Sequence, residues 1–281
     1  MSSEPRRLAQ GMAPLPYPRP MDQAALPIFD VIVVGYNSLL VDSPAVLAAQ
    51  SAPLVRTIFY CDNSTDPSTC AQNKAAKGPK VTYLGLGGNL GISRAYNAAL
   101  NHCQAQYVVL FDDDTAVETS FFEDAASWVR EGVDGDGVFV PVVTTAGKAF
   151  SPCRHFLGTF RPIEDLSGLR LGSFSAINSG MVIARSVFSG YRYDERLFLE
   201  FVDHKFVSDV RKRGIPVTIM SNVVLNQTFS AVSDDLSAAL RRHEIFRRDS
   251  AVFYSGVIGR LVRWARLGVR YVKLSRMGNR A

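Results

Sequence analysis

The chain has 281 residues, 47% of them apolar and 20% charged, with a formal net charge of +5 at pH 7. That length suits one large α/β domain or two small ones, and the composition is that of an ordinary globular protein. No apolar run reaches the roughly 18–20 residues that a bilayer span needs, and the N-terminus lacks the apolar stretch of a signal peptide. Cys61, Cys70, Cys103 and Cys153 form no C-x-x-C pair and no metal-ligand spacing, which predicts reduced, mostly packed thiols in a cytoplasmic protein. The charge is uneven. From position 241 to 281, eleven Lys and Arg face only Glu244 and Asp249, a net +9, while the other 240 residues sum to −4. Such a tail points to an anionic partner.

In chain order, residues 1–27 hold six of the fourteen prolines and read as a disordered leader. Strands are predicted at 28–34, 55–60, 80–84, 107–111, 137–143, 176–183 and 217–219. The first is β-branched and nearly continuous, as expected for a strand buried on both faces. Helices are predicted at 91–103, 120–130 and 202–214. This alternation predicts an α/β fold over 28–233, a mostly parallel mixed sheet flanked by helices, with ligands beyond the carboxyl ends of the strands.

Four segments fall at that edge: GYNS (35–38), CDNST (61–65), the glycine-rich GLGGNLGISRAYNAAL (85–100), and the triplet Asp112, Asp113 and Asp114. The glycine segment misses the dinucleotide fingerprint, because Leu90 occupies the place of the third glycine and the segment follows the third strand. A helix start near Gly91 that faces an anion fits better. The triplet reads either as a solvated turn that caps the next helix or as a site for a hard divalent cation, which takes oxygen ligands and keeps one or two carboxylates. Further on, Glu200, Asp203 and Val207 are spaced to share one helical face. From 254 to 273, Val257, Ile258, Leu261, Val269 and Val272 gather on one side of a helical wheel and Arg260, Arg263, Arg266, Arg270 and Lys273 on the other. Residues 234–281 thus form a basic amphipathic helical segment. It is suited either to lying on an anionic membrane through 250–276 or to packing on the domain with its arginines solvated.

Six motifs occur in an order and spacing that resemble family 2 glycosyltransferases of the GT-A fold, nearest their bacterial rhamnosyltransferase-like branch. They are VIVVGYN, DNST, NLGISRAYNAAL, VVLFDDDT, INSGMVIAR and LFLEFVDHKFVSDVRKRG. The resemblance implies an inverting, metal-dependent transferase that uses Mg²⁺ or Mn²⁺. The donor would be dTDP-rhamnose or a UDP-hexose, and the acceptor a glycan or lipid-linked hydroxyl in surface polysaccharide synthesis at the inner face of the cell membrane. It places Tyr36, Asn37, Asp62, Asn89, Gly91, Arg94, Asp112 and Asp113 at the donor nucleotide. Asp114, with Asp112, would hold the metal. Asn178, Ser179, Gly180 and Glu200 would face donor sugar and acceptor, and Asp203 would be the general base. Two departures stand out. The downstream segment VVLNQTFS has Asn226 and Gln227 where many relatives have a metal-binding His, and Lys205 replaces an acid. A sugar nucleotidyltransferase would need a basic, glycine-rich N-terminal signature that residues 1–27 lack, and a non-catalytic binding protein of the same fold is the other alternative. The acidic body and the lack of a recognition motif argue against nucleic acid.

Overall fold

The computed structural model describes residues 27–76, 78–131, 136–156, 159–163, 174–227 and 236–278. The expected leader therefore lies almost wholly outside the described residues. The first half runs β1 (Phe29–Gly35), α1 (Pro44–Ser51), β2 (Val55–Asp62), α2 (Pro67–Ala75), β3 (Val81–Gly85), α3 (Ile92–Leu100), β4 (Tyr107–Asp112) and α4 (Ser120–Glu131). The second half runs β5 (Val138–Thr145), β6 (Lys148–Ser151), β7 (Cys153–Phe156), β8 (Thr159–Pro162), β9 (Phe174–Ser175), β10 (Val182–Ala184), α5 (Val202–Lys212), β11 (Val217–Asn226), α6 (Leu236–Phe253) and α7 (Gly256–Gly278).

The main sheet orders its strands β11-β5-β10-β4-β1-β2-β3, with β6 beside β5, and a small sheet orders β8-β7-β9. β1 pairs in parallel with β2 and β4, β2 with β3, and β5 with β11, while β10 runs antiparallel between β4 and β5. The carboxyl ends of β1 to β4 therefore open on one edge, and the segment that enters β10 arrives at the same edge from the opposite direction. β1 is buried along its whole length, as its apolar run predicts. Its one acid, Asp30, is buried because its Oδ2 accepts the Gln104 and Ala105 N–H groups at 2.6 and 2.8 Å.

Several elements differ from the sequence expectation. The expected strand at 176–183 shrinks to β10, because 176–181 forms a turn in which Gly180 has φ +75° and donates to the Leu110 carbonyl at 2.7 Å. A Cβ on Gly180 would meet Leu225 Cδ1 at 2.4 Å, and its positive φ is one that other residues rarely adopt, so the turn itself calls for glycine here. Helices α1 and α2 were not expected. Each carries a start signal: Ser43 before Pro44 and Asp66 before Pro67, whose side chains accept from Val46 and Thr69 N–H. Glu200 lies in the turn before α5, not on the helix with Asp203.

The C-terminal helices pack on this unit. Phe201, in the left-handed region at φ +68°, joins Phe246, Tyr254 and Leu267 in a second apolar cluster. The fully buried Asp249 of α6 accepts the backbone N–H groups of Phe198, Leu199 and Glu200 at 3.1, 2.8 and 2.9 Å. The packing of α7 departs from one of the two expectations, a helix lying on the domain with its arginines solvated. Its arginines turn inward: Arg263 donates to Ser250 Oγ at 3.2 Å and Arg266 to Tyr254 Oη at 2.8 Å, while Arg270 lies 4.2 Å over the Phe246 ring. Its apolar side faces out, with Val257, Leu261, Trp264 and Val269 each about two-thirds exposed or more. Among the described residues, no helix is long and apolar enough to cross a membrane.

Replacing Asp249 with Ala strands three buried donors and should lower stability by about 2–5 kcal/mol in a urea titration. Asp249→Asn, which keeps one acceptor oxygen, should lose clearly less.

Candidate active site

Two adjoining cavities open at the carboxyl edge of the sheet. The first, of ≈ 760 Å³, is lined on the sheet side by Tyr36, Asn63, Asn89 and the acidic triplet, and on the α6 side by Arg241, Arg242 and Arg248. The second, of ≈ 620 Å³, holds Asn178, Glu200, Asp203 and His204, faced by Arg242, Arg266 and Arg270 from the C-terminal helices. Asp112, Gln227 and Arg242 line both, so they mark the junction.

The triplet divides its work. Asp112 Oδ2 accepts from Ser179 Oγ at 2.8 Å and from Gln227 Nε2 at 3.4 Å. Burial pushes its carboxyl above the usual range, against these two hydrogen bonds, and Asp113 and Asp203 push the same way. Burial, then Asp112 and Asp113, also raises Asp114. Asp113 turns toward the β1 loop: Ser38 Oγ donates to its carboxylate, and Ser43 Oγ to its backbone carbonyl at 2.7 Å. Two amide oxygens near the junction, Asn178 Oδ1 and Gln227 Oε1, are buried without a hydrogen-bond partner among the described residues. Buried polar atoms are rarely left so, and here both line the cavity that holds Asp203.

Asp203 opens α5 and accepts the His204 N–H on Oδ1 at 2.7 Å. Burial raises its carboxyl from 3.8 to about 7, with backbone N–H groups opposing. Neither Lys205 nor Arg211 is positioned as its neutralising partner: Lys205 pairs with Asp209 at 2.5 Å and Arg211 donates to the Phe174 carbonyl at 3.0 Å. His204 stacks on Phe160 at 3.6 Å, its Nδ1 lies 2.7 Å from Ser175 Oγ, and burial holds it neutral, at about 3. Burial also raises Glu200, while Arg270 and Arg242 oppose the shift.

The other expected donor residues divide between the wall of the first cavity, where Asn89 and Gly91 lie, and the loops behind it. The buried Asp62 accepts from Ser64 N, Asn73 Nδ2 and Tyr83 Oη at 3.0–3.1 Å and lines neither cavity. Its neighbour Asn63 reaches the cleft instead, its Oδ1 accepting Leu90 N–H at 2.8 Å. Asn37, at φ +53°, ties the β1 loop to the β2 loop by accepting Thr65 and Asp66 N–H. Asn89 lines the first cavity and accepts Gly91 N–H at 3.2 Å. Gly91, at φ +86°, is pressed against Phe198, whose carbonyl would lie 2.6 Å from an added Cβ. Arg94 lines neither cavity, and is half exposed and 3.5 Å from Glu195. The cations at the cleft come instead from α6 and α7, which sequence reasoning assigned to a surface role.

The sequence model of glycosyl transferase family 2 matches residues 30–192, more than half of the chain, and includes the acidic triplet. No curated protein matches it. Among solved structures, the mannosyltransferase PcManGT from Pyrobaculum calidifontis, in complex with GDP-Man and Mn²⁺, aligns at a TM-score of 0.55 and 14% identity, over 86% of this chain and 70% of that one. S. aureus TarS 1-349 in complex with UDP-GlcNAc aligns at 0.51 and 16% identity, over 87% and 72%. At such identities the likeness is one of fold: a mostly parallel sheet with helices on its flanks. The chain belongs to glycosyl transferase family 2 and is a glycosyltransferase of the GT-A fold.

Proposed function

We propose that this glycosyltransferase moves a sugar from a nucleoside-diphosphate donor to a hydroxyl of a glycan or lipid-linked acceptor, with inversion, in surface polysaccharide assembly. The observation that carries the reading is the pair of cavities with a common wall. Carboxylates at the strand ends line one, and an acid with a carboxyl near neutrality lies in the other. The donor nucleotide fits the first cavity, with Tyr36, Asn63 and Asn89 at its base and Arg241, Arg242 and Arg248 toward its phosphates. The acceptor fits the second. Asp203 removes the acceptor hydroxyl proton as that oxygen bonds to the anomeric carbon and the bond to the diphosphate breaks. A nucleoside diphosphate leaves, and one displacement inverts the centre. Such a base contributes about 10²–10⁴-fold in rate.

Mg²⁺ or Mn²⁺ fits the junction. Among the described residues no three His, Cys, Asp or Glu side chains gather for a metal. Asp112, Asp114 and the unpartnered Gln227 Oε1 together offer hard oxygen donors, with water and phosphate oxygens left to complete the set. When bound, a divalent ion offsets the charge that builds on the leaving diphosphate. PcManGT was solved with GDP-Man and Mn²⁺, and TarS with UDP-GlcNAc, which supports a nucleotide sugar here. dTDP-rhamnose and UDP-hexoses are the donors to try first. α7 supports contact with an anionic membrane: Leu261, Trp264 and Val269 face out, and Arg260, Lys273 and Arg276 are exposed beside them.

A screen of sugar nucleotides should find hydrolysis or transfer that needs Mn²⁺ or Mg²⁺ and falls at least about 10²-fold in Asp114→Asn. Full metal-free turnover would contradict the metal assignment. Because Asp203 must be ionised to accept a proton, kcat/KM should rise with pH up to about 7 and then level. Asp203→Asn should abolish that limb and most transfer while nucleotide binding remains. The same group makes a stability prediction. Between the unfolded value of 3.8 and the folded value of about 7, the folded chain holds a proton that the unfolded chain releases. Stability from Asp203 therefore falls as pH rises through that window, and a urea midpoint series on Asp203→Asn should show the fall removed. In flotation with phosphatidylglycerol vesicles, the full chain should rise with lipid, and a variant with Leu261, Trp264 and Val269 all changed to Glu should stay behind.

A further inference from the structure

Resting on the proposed donor and acceptor assignment, we infer that the acceptor carries an oxyanion, phosphate or carboxylate, held in the Asp203 cavity by Arg242, Arg266 and Arg270. Two C-terminal helices bring these three guanidinium groups to the cavity that holds the general base. Arg266 and Arg270 line this cavity and not the donor cavity, which has Arg241 and Arg248 of its own. The donor's diphosphate therefore does not account for them.

Neither Arg242 nor Arg270 has a carboxylate within 4 Å among the described residues. The fields of both act on Glu200, and burial raises it in spite of them. Burial also lowers Arg270, the sign of a cation that lacks solvent. Asp203 keeps its proton up to about pH 7, so it supplies only part of a full negative charge. A half-buried guanidinium with no carboxylate against it, as at Arg270, is costly, and an arriving oxyanion removes that cost. The groups are also held ready. Arg270 lies 4.2 Å and Arg266 5.8 Å from the centroid of the Phe246 ring, and Arg266 donates to Tyr254 Oη. A planar fork fixed in this way suits phosphate or carboxylate. Phe150 and Phe160 line the same cavity and offer apolar surface to a sugar ring.

The test uses the full chain with Mn²⁺ and a nucleoside diphosphate present. Glucose 1-phosphate, glucuronate and methyl glucoside are the probes, read by saturation-transfer NMR titration. At least one anion should bind about tenfold more tightly than methyl glucoside, a difference of about 1.4 kcal/mol. Arg270→Gln should erase that preference, and Arg270→Lys should restore part of it, with the thermal midpoint and nucleoside diphosphate affinity kept. A preference for glucose 1-phosphate assigns a phosphorylated acceptor, and one for glucuronate an acidic sugar. Methyl glucoside binding as well as both anions would overturn the inference, as would a preference that survives in the Arg266→Gln/Arg270→Gln double variant. Hydrolysis of a sugar nucleotide without acceptor reads the donor assignment separately, so either reading can fail while the other stands.

Discussion

The site depends on one buried carboxylate. Asp249, on the penultimate helix, collects the N–H groups of three successive residues, Phe198 to Glu200, in the turn that leads into α5. That turn presents Glu200 to the second cavity, meets Gly91 through the Phe198 carbonyl, and delivers Asp203 at the start of the helix. A charge with no solvent contact is tolerated because three backbone donors and Arg248, at 3.3 Å, replace its water. The exchange fastens the C-terminal helices to the sheet edge. Both cavities have one wall on each side of that seam.

Electrostatics across the seam is complementary. The sheet contributes acids: Asp112, Asp113 and Asp114 crowd one strand end, and burial with mutual repulsion holds Asp112 and Asp114 above their usual range. Helix α6 contributes Arg241, Arg242 and Arg248 to the first cavity. A diphosphate with a divalent ion brings both signs of charge to such a cleft, its cation toward the carboxylates and its oxyanions toward the guanidinium groups. The desolvation that raises Asp203 gives it a proton affinity near neutrality, the range in which a carboxylate works as a base at physiological pH.

Much of the fold was legible because strand periodicity and the glycine and acidic breaks between strands are strong local signals. β1 to β5, α3, α4 and α5 fall where the pattern puts them, and β11 begins where expected but runs on to Asn226. α1 and α2 were missed because neither shows a helical apolar period, PAVLAAQS being apolar almost throughout and PSTCAQNKA mostly polar, although their Ser-Pro and Asp-Pro starts were present to be read. The triplet and Asp203 were legible as candidates from residue type and motif order. The hydrogen bonds of Asp62 were not legible, since nothing local shows that Asn73 and Tyr83 will meet its oxygens. The orientation of α7 was the largest surprise. An amphipathic wheel shows two faces but not which one is covered, and arginine stems that reach aromatic rings and a tyrosine hydroxyl can make the basic face the inner one.

The most direct test of the central claim is an anomalous-diffraction map from crystals grown with Mn²⁺ and a nucleoside diphosphate. The account predicts one manganese peak against Asp114 and Asp112, close to the Gln227 amide oxygen. It also predicts that the diphosphate bridges from that ion to the arginines of α6, with Asp203 facing the side of the donor where an acceptor would enter. A peak away from the strand ends, or a nucleotide bound outside the cleft between the sheet edge and α6, would contradict it.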